Sequence, residues 1–126
     1  MKTIEINKQL AAVCEKLQWN VSVEESYPGE YRYEFETWSD AGQDVIQSIT
    51  VSDPDDVDEI QHALYQMWQD FDPEEETMLW IGPDGQGRNG APGLRACLAD
   101  MDSVDEMLEE LHDEFQRECE KAYATA

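Results

Sequence analysis

Basic residues are scarce in this sequence. Its 126 residues include eight lysines and arginines against 30 aspartates and glutamates, which gives a formal net charge of −22. None of the basic residues falls between Tyr33 and Gly87, a stretch that holds 15 of the acidic ones. A surface of this kind repels nucleic acid and anionic membranes and attracts basic proteins or cations. We therefore expect no direct contact with nucleic acid and none with a membrane.

Cysteines and long apolar runs are also in short supply. Cys14, Cys97 and Cys119 form no Cys-x-x-Cys pair, which fits a reducing cytosol better than a secreted disulfide scaffold. The N-terminus has no continuous apolar core, and no run approaches the roughly 18 apolar residues of a membrane span. These absences predict a soluble, cytoplasmic protein whose three thiols are buried or half-buried.

Motifs of catalysis and of nucleotide binding are missing as well. The sequence has no Cys/His or Ser/His motif, and its carboxylates are too numerous to tell an acid from a base. The loop from Gly82 to Gly90 has four glycines but lacks the Gly-Lys-Ser/Thr ending of a phosphate-binding loop. It also does not match Gly-x-Gly-x-x-Gly after a strand. We expect a flexible connection there, no cofactor, and no enzyme activity.

A designed metal site is not indicated either. Asp53, Asp55 and Asp58 resemble the start of a calcium loop, but the central glycine and the closing glutamate are absent. His62 and His112 each lack a second ligand at helical spacing. Loose attraction of cations by the acidic surface is the expectation that remains.

The apolar residues that are present predict a folded chain. Apolar residues make up 40% of the sequence, with four Trp, five Tyr and three Phe, which argues against a disordered acidic tail. The length fits a single acidic α+β domain spanning residues 1–126. Helical spacing predicts an N-terminal helix from Thr3 to Gln18. Alternating residues then predict three strands, Trp19 to Glu25, Tyr31 to Trp38 and Asp44 to Ser52.

The short connections between these strands imply an antiparallel meander with helices on one face and water on the other. A second helix is predicted from Asp53 to Asp72, with Asp53 as N-cap, Pro54 at the first helical position and Pro73 as the stop. The apolar run from Met78 to Ile81 indicates a fourth strand or a buried turn. The fold class is thus α+β, with an N-terminal helix, a three- to four-stranded antiparallel sheet, and helices packed on one face.

Two further helices are predicted near the C-terminus. Pro92 opens a short one, and Ser103 with Glu106 forms a capping box that starts the last one. From Asp105 to Glu120 there are eight acidic residues and one basic residue. At about 1.5 Å per residue, this is a net charge of about one per 3.4 Å of axis, close to the linear charge density of a DNA strand.

Rows of carboxylates on a rigid scaffold can imitate a phosphate backbone and occupy a basic nucleic-acid channel. The sequence therefore predicts an inhibitor that binds a basic nucleic-acid-binding protein, with exposed Tyr or Trp as anchors. The predicted partner-binding residues are Glu34, Glu36, Asp56, Glu59, Asp70, Glu74, Glu75, Glu106, Glu109, Glu110, Asp113 and Glu114.

Two short segments carry a resemblance. Asp40-Ala41-Gly42-Gln43-Asp44 follows an aromatic strand, and Asp70-Phe71-Asp72-Pro73-Glu74-Glu75 follows a helix. Both resemble segments of small acidic accessory proteins encoded on phages and conjugative elements, and the resemblance spans about residues 31–115. In composition the chain is similar to phage-type DNA mimics of the anti-restriction and anti-CRISPR kind. That group shares chemistry rather than one fold, so the resemblance implies an inhibitor of a host nuclease or CRISPR effector without assigning any contact residue.

Other interpretations stay open at the level of sequence. An acidic adaptor or structural protein would dock a basic partner without mimicry. Adaptation to high salt also produces acidic surfaces, although the segregated basic residues favour a binding surface. An enzyme would need a carboxylate set apart by burial. The sequence also leaves open whether two copies form a homodimer.

Overall fold

The computed structural model describes residues 4–40, 42–81 and 94–124. The described strands form one antiparallel sheet in the order β1-β2-β3, as the sequence predicts. With the N-terminal helix and the packed helices, this confirms the α+β fold. In chain order the elements are α1 (Lys8–Leu17), β1 (Asn20–Tyr27), β2 (Glu30–Trp38), β3 (Asp44–Val51), α2 (Val57–Asp70), α3 (Pro73–Ile81) and α4 (Leu94–Ala124).

The alternating residues of the strands separate the two faces of the sheet. Tyr33 and Phe35 on β2 are fully buried, whereas Glu34 and Glu36 point to the other face and are only half-buried. Tyr33 pairs with Val23 on β1 and with Ile49 on β3. The face that carries Tyr33 and Phe35 therefore belongs to the core, as the alternation predicts.

The helices form a second layer on the core face. α1 packs against β1 and α4, α2 packs against β3 and α4, and α3 packs against α4. α4 consequently lies between α1 and α2, over the middle of the sheet. One core cluster joins the inner sheet residues to the buried side of α4, including Val104, Leu108, Leu111 and Phe115. No described helix packs on the outer face of the sheet.

The predicted N-cap of the second helix is wrong by three residues. α2 begins at Val57, and its N-cap is Asp56, whose Oδ1 accepts from the backbone N–H groups of Asp58 and Glu59 at 3.1 Å each. Pro54 does not open the helix, because its carbonyl accepts a hydrogen bond from the Tyr33 hydroxyl at 2.7 Å. A tertiary contact thus overrides the local Asp-Pro signal.

The first helix also starts later than predicted. Residues 4–7 precede it, and the Asn7 side chain caps it by accepting from the Leu10 N–H at 3.1 Å. The backbone N–H of Asn7 donates to the Tyr33 hydroxyl at 3.1 Å. The core tyrosine therefore fixes the residue at which α1 begins.

Pro73 is the first residue of a further helix, α3. This helix includes Met78 to Ile81, so the predicted strand or buried turn there is wrong. α2 ends at Asp70, and α3 spans Pro73–Ile81. Asp72 accepts from the N–H groups of Glu74 and Glu75 at 3.0 and 3.4 Å. Since Pro tolerates the first helical position and Asp is a good N-cap, Asp-Pro starts a helix here.

The predicted capping box at Ser103 is also wrong, because α4 runs without a break from Leu94 to Ala124. No glycine or proline interrupts these 31 residues, and the buried positions continue through Cys97, Met101 and Val104. Ser103 Oγ instead donates to Asp40 Oδ2 at 2.7 Å. The predicted opening at Pro92 and the glycine loop fall outside the described residues.

Candidate functional site

The predicted partner-binding residues lie on two opposite faces of the protein. Glu34 and Glu36 are on the outer face of the sheet, away from the helices. Glu106, Glu109 and Glu110 are exposed on α4, which belongs to the layer that covers the inner face. A single flat partner surface therefore cannot contact all twelve of them at once.

An open row of carboxylates lies on the outer side of α4. It consists of Asp102, Glu106, Glu109, Glu110 and Asp113, which we call the α4 stripe. At 3.6 residues per turn these five positions fall within an arc of about 100°, opposite the buried side of the helix. From Asp102 to Asp113 they span about 16.5 Å of axis, so that the average interval between successive carboxylates is about 4.1 Å, compared with about 3.4 Å between phosphates along one DNA strand.

The charge of the α4 stripe is not neutralised within the described part of the chain. No described lysine or arginine lies within 4 Å of the carboxylates of Asp102, Glu106, Glu109 or Glu110. Asp113 Oδ1 is 3.0 Å from His112 Nδ1, a pair that is ionic only when the histidine is protonated. The His112 ring packs against Tyr65 and Trp68 of α2, with centroid distances of 5.7 and 6.0 Å.

Glu114, in contrast, is already engaged. Its carboxylate lies 2.8 Å from Lys16 Nζ and 2.6 Å from an Arg117 guanidinium nitrogen, and only 14% of its side chain is exposed. The hydrogen bond from Lys16 is the main cause that lowers the pKa of Glu114. Glu118 likewise lies 3.6 Å from Lys121. Glu106, Glu110, Glu114 and Glu118 are spaced four residues apart along α4, but only the first two of them are open.

Two other predicted residues serve the fold directly. Asp56 caps α2, as described above. Glu59 accepts from the Ser52 N–H at 2.7 Å, from Ser52 Oγ at 2.9 Å and from the Asp53 N–H at 3.2 Å. Both carboxylates hold the connection between β3 and α2 in place. Their charge adds to the negative field, but their side chains are not free to turn toward a partner.

Asp70, Glu74 and Glu75 are exposed around the junction between α2 and α3. The neighbouring Glu76 is half-buried, and burial, followed by repulsion from Glu75, raises the pKa of its carboxyl. Of the three consecutive glutamates 74–76, two are therefore freely exposed. Since α3 packs against α4, this corner adds to the charge of the helical side.

The middle of α2 carries no carboxylate on its outer side. Its exposed and half-exposed residues there are Gln61, His62, Tyr65, Gln66 and Gln69. The carboxylates near α2 therefore form two clusters, one at each end of the helix. The distance from Glu59 to Asp70 is about 16 Å along the axis.

Sequence reasoning missed two kinds of residue. Asp102 belongs to the α4 stripe, but it precedes Ser103, where the last helix was predicted to start. Trp38 and Ile46 are exposed large hydrophobic side chains on the outer sheet face. The alternation that places Glu34 and Glu36 outward also places Trp38 outward, so that this signal was present in the sequence.

All three cysteines are buried, as predicted. Within the described ranges, no group of three or more His, Cys, Asp or Glu side chains is arranged to hold a metal ion. No described helix has the length and apolarity needed to cross a membrane. Comparison of the chain with protein-family models, with curated proteins and with solved structures gives no match.

Proposed function

We propose that this protein inhibits a basic nucleic-acid-binding protein, such as a host nuclease or CRISPR effector, by occupying its nucleic-acid channel. The α4 stripe carries the proposal, because it presents open carboxylates on a rigid helix at intervals of about 4 Å, comparable to those of phosphates along a DNA strand. Inhibition of this kind is stoichiometric and needs no chemistry. Asp70, Glu74 and Glu75 extend the negative field on the same layer of helices.

Electrostatics determines how such a complex forms. A channel that holds nucleic acid is lined by lysine and arginine, so the stripe and the channel attract each other over about one Debye length. Complementary charge raises the association rate most strongly, and added salt screens it. We therefore expect binding to a target to weaken steadily as the salt concentration rises.

The test is a pull-down of basic nucleases, repeated across a salt series. The triple variant Glu106→Lys, Glu109→Lys, Glu110→Lys reverses the centre of the α4 stripe. A matched control, Glu24→Lys, Glu25→Lys, Glu30→Lys, changes the net charge equally at the β1–β2 hairpin. Loss of binding in the first variant alone supports the proposal. Equal losses in both variants, or binding that is unchanged at high salt, would contradict it.

A second candidate is an acidic adaptor that docks a basic partner without blocking nucleic acid. The exposed Trp38 and Ile46 on the outer sheet face favour it, since aromatic anchors are typical of protein interfaces. Competition separates the two candidates. A mimic and a DNA duplex exclude each other from the target, whereas an adaptor, its partner and DNA form a ternary complex.

A further inference from the structure

An apolar spot with an acidic rim lies at one end of the outer sheet face. Trp38 and Ile46 are 63% and 52% exposed. Trp38 on β2 pairs with Asp44 on β3, and Glu36 pairs with Ile46. All four side chains point away from the helices, and Trp38 and Ile46 are diagonal neighbours within reach of each other. We call these four residues the Trp38 patch.

The backbone beneath the patch is anchored to the helical layer. Ser39 Oγ donates to Asp100 Oδ2 at 2.6 Å, and the Ser39 N–H donates to the Gln43 carbonyl at 2.8 Å. One residue further on, Asp40 accepts from Ser103 Oγ. Ser39, Gln43 and Asp100 are buried. The backbone that follows Trp38 is therefore tied to α4, which keeps this end of β2 oriented with the Trp38 side chain on the outer face of the sheet.

The charge around Trp38 identifies the kind of partner. Residues 20–51 contain a single basic residue, Arg32, which lies 3.7 Å from Glu24 and 3.3 Å from Glu34. No described basic side chain is within 4 Å of Glu36 or Asp44. A second copy of this chain would bring like charges together on this face. A cationic side chain is the complementary occupant.

We propose that the Trp38 patch binds an arginine side chain on an exposed segment of a basic protein. A guanidinium plane stacks on an indole, and its fork of donors bonds a carboxylate in a bidentate manner. In the patch, the indole is Trp38 and the carboxylates are Glu36 and Asp44, while Ile46 contacts the apolar stem of the arginine. This surface is separate from the α4 stripe and shares with it only the basic character of the partner.

The test compares the affinity for an arginine peptide with that for a lysine peptide. General electrostatic attraction to an acidic domain would give both peptides the same affinity. Two synthetic peptides that differ only in having arginine or lysine are titrated into the labelled protein and followed by amide NMR. We expect the arginine peptide to bind about fivefold more tightly, in line with cation–π stacking. The shifted amides should lie at the Trp38 end of β2 and β3. Trp38→Ala should remove the preference and leave the weak, charge-driven binding.

Matched variants make each outcome decisive. Tyr27 is 69% exposed near the other end of the same sheet, so Tyr27→Ala should keep the arginine preference. The double variant Glu36→Gln, Asp44→Asn should lower the preference for the arginine peptide without affecting the fold. Equal affinity for the two peptides, or a preference that survives Trp38→Ala, would overturn the proposal. Amide shifts confined to α4, or loss of the preference on reversal of the α4 stripe, would overturn it too and assign the binding to the helical side.

Discussion

At the scale of single residues, Tyr33 links three separate parts of the chain. Its side chain is fully buried on the central strand, and its ring stacks near Phe35 at a centroid distance of 6.4 Å. The hydroxyl accepts from the Asn7 N–H and donates to the Pro54 carbonyl. It thus fixes the start of α1 and the approach to α2, on which the helical layer depends.

Removing only this hydroxyl should therefore destabilise the fold. Tyr33→Phe leaves a buried N–H and a carbonyl without their partner, which we expect to cost about 1–3 kcal/mol. The free energy of unfolding from urea denaturation measures the loss. Tyr27→Phe removes an exposed hydroxyl and should change stability by less than about 0.5 kcal/mol. Equal stabilities for the two variants would show that the Tyr33 contacts add nothing.

The buried thiol of Cys14 predicts a loss of stability in alkali. Burial raises its pKa from 9.0 to about 12. Above pH 9 the unfolded chain releases this proton while the folded chain retains it. The stabilisation is complete below pH 9 and is lost as the pH rises toward 12, with a slope of up to about 1.4 kcal/mol per pH unit. Urea denaturation between pH 8 and 10.5 should show this decline.

Cys14→Ala is the control for that slope. The substitution opens a small cavity and lowers stability at neutral pH, but it removes the titrating thiol. Burial also raises the pKa of Tyr33, and this contribution is common to both proteins. The difference between wild type and Cys14→Ala should therefore shrink as the pH rises above 9. A constant difference would rule out ionisation of Cys14 as a cause.

At the scale of elements, the cap of α2 distinguishes a structural carboxylate from its neighbours. Asp56→Ala removes the acceptor for two N–H groups and should cost about 1 kcal/mol. Asp55→Ala makes the same change in charge one residue earlier, at an exposed side chain. We expect its effect to stay within about 0.5 kcal/mol. Urea denaturation of both variants tests this, and similar losses would mean that local charge, rather than capping, stabilises the helix start.

The elements that sequence predicts well are those set by local periodicity. The three strands and their order follow from alternation and short turns, and the turn at Gly29 has the positive φ of 80° that glycine permits. Helix starts are predicted poorly where a distant group competes. Pro54 follows a good N-cap residue, yet no helix starts there, and its carbonyl accepts a hydrogen bond from the Tyr33 hydroxyl. The Ser103 hydroxyl donates to Asp40 and does not cap a helix.

The candidate site is predictable only in part, for the same reason. The outward direction of Glu34 and Glu36 follows from their period of two along β2. The neutralisation of Glu114 depends on Lys16, which is 98 residues away in sequence. No local pattern separates Glu114 from Glu110, although one is paired and the other is exposed. The charge-reversal variant therefore includes the open Glu109 and leaves out Glu114, which Lys16 and Arg117 already pair.

At the scale of the whole molecule, repulsion among the carboxylates destabilises the folded state, and burial of apolar side chains in the core stabilises it. Most carboxylates are at the surface, where two unit charges 4 Å apart interact by about 1 kcal/mol in water. The core cluster joins every layer, from Leu10 on α1 through Phe35 on β2 to Phe115 on α4. We infer that burial outweighs the repulsion and that high salt is not needed for folding.

Folding at low ionic strength tests this inference and the interpretation as a salt-adapted protein together. We expect a cooperative thermal transition, followed by circular dichroism, in about 10 mM buffer, where the Debye length is about 30 Å and repulsion is strongest. Added NaCl should raise the melting temperature modestly, because it screens the repulsion. The Glu106→Lys, Glu109→Lys, Glu110→Lys variant should respond less to salt, because it carries less repulsion at the α4 stripe. A chain that is unfolded at low salt and folds only near 1 M would instead be a halophilic protein, and its acidic surface would then need no partner to explain it.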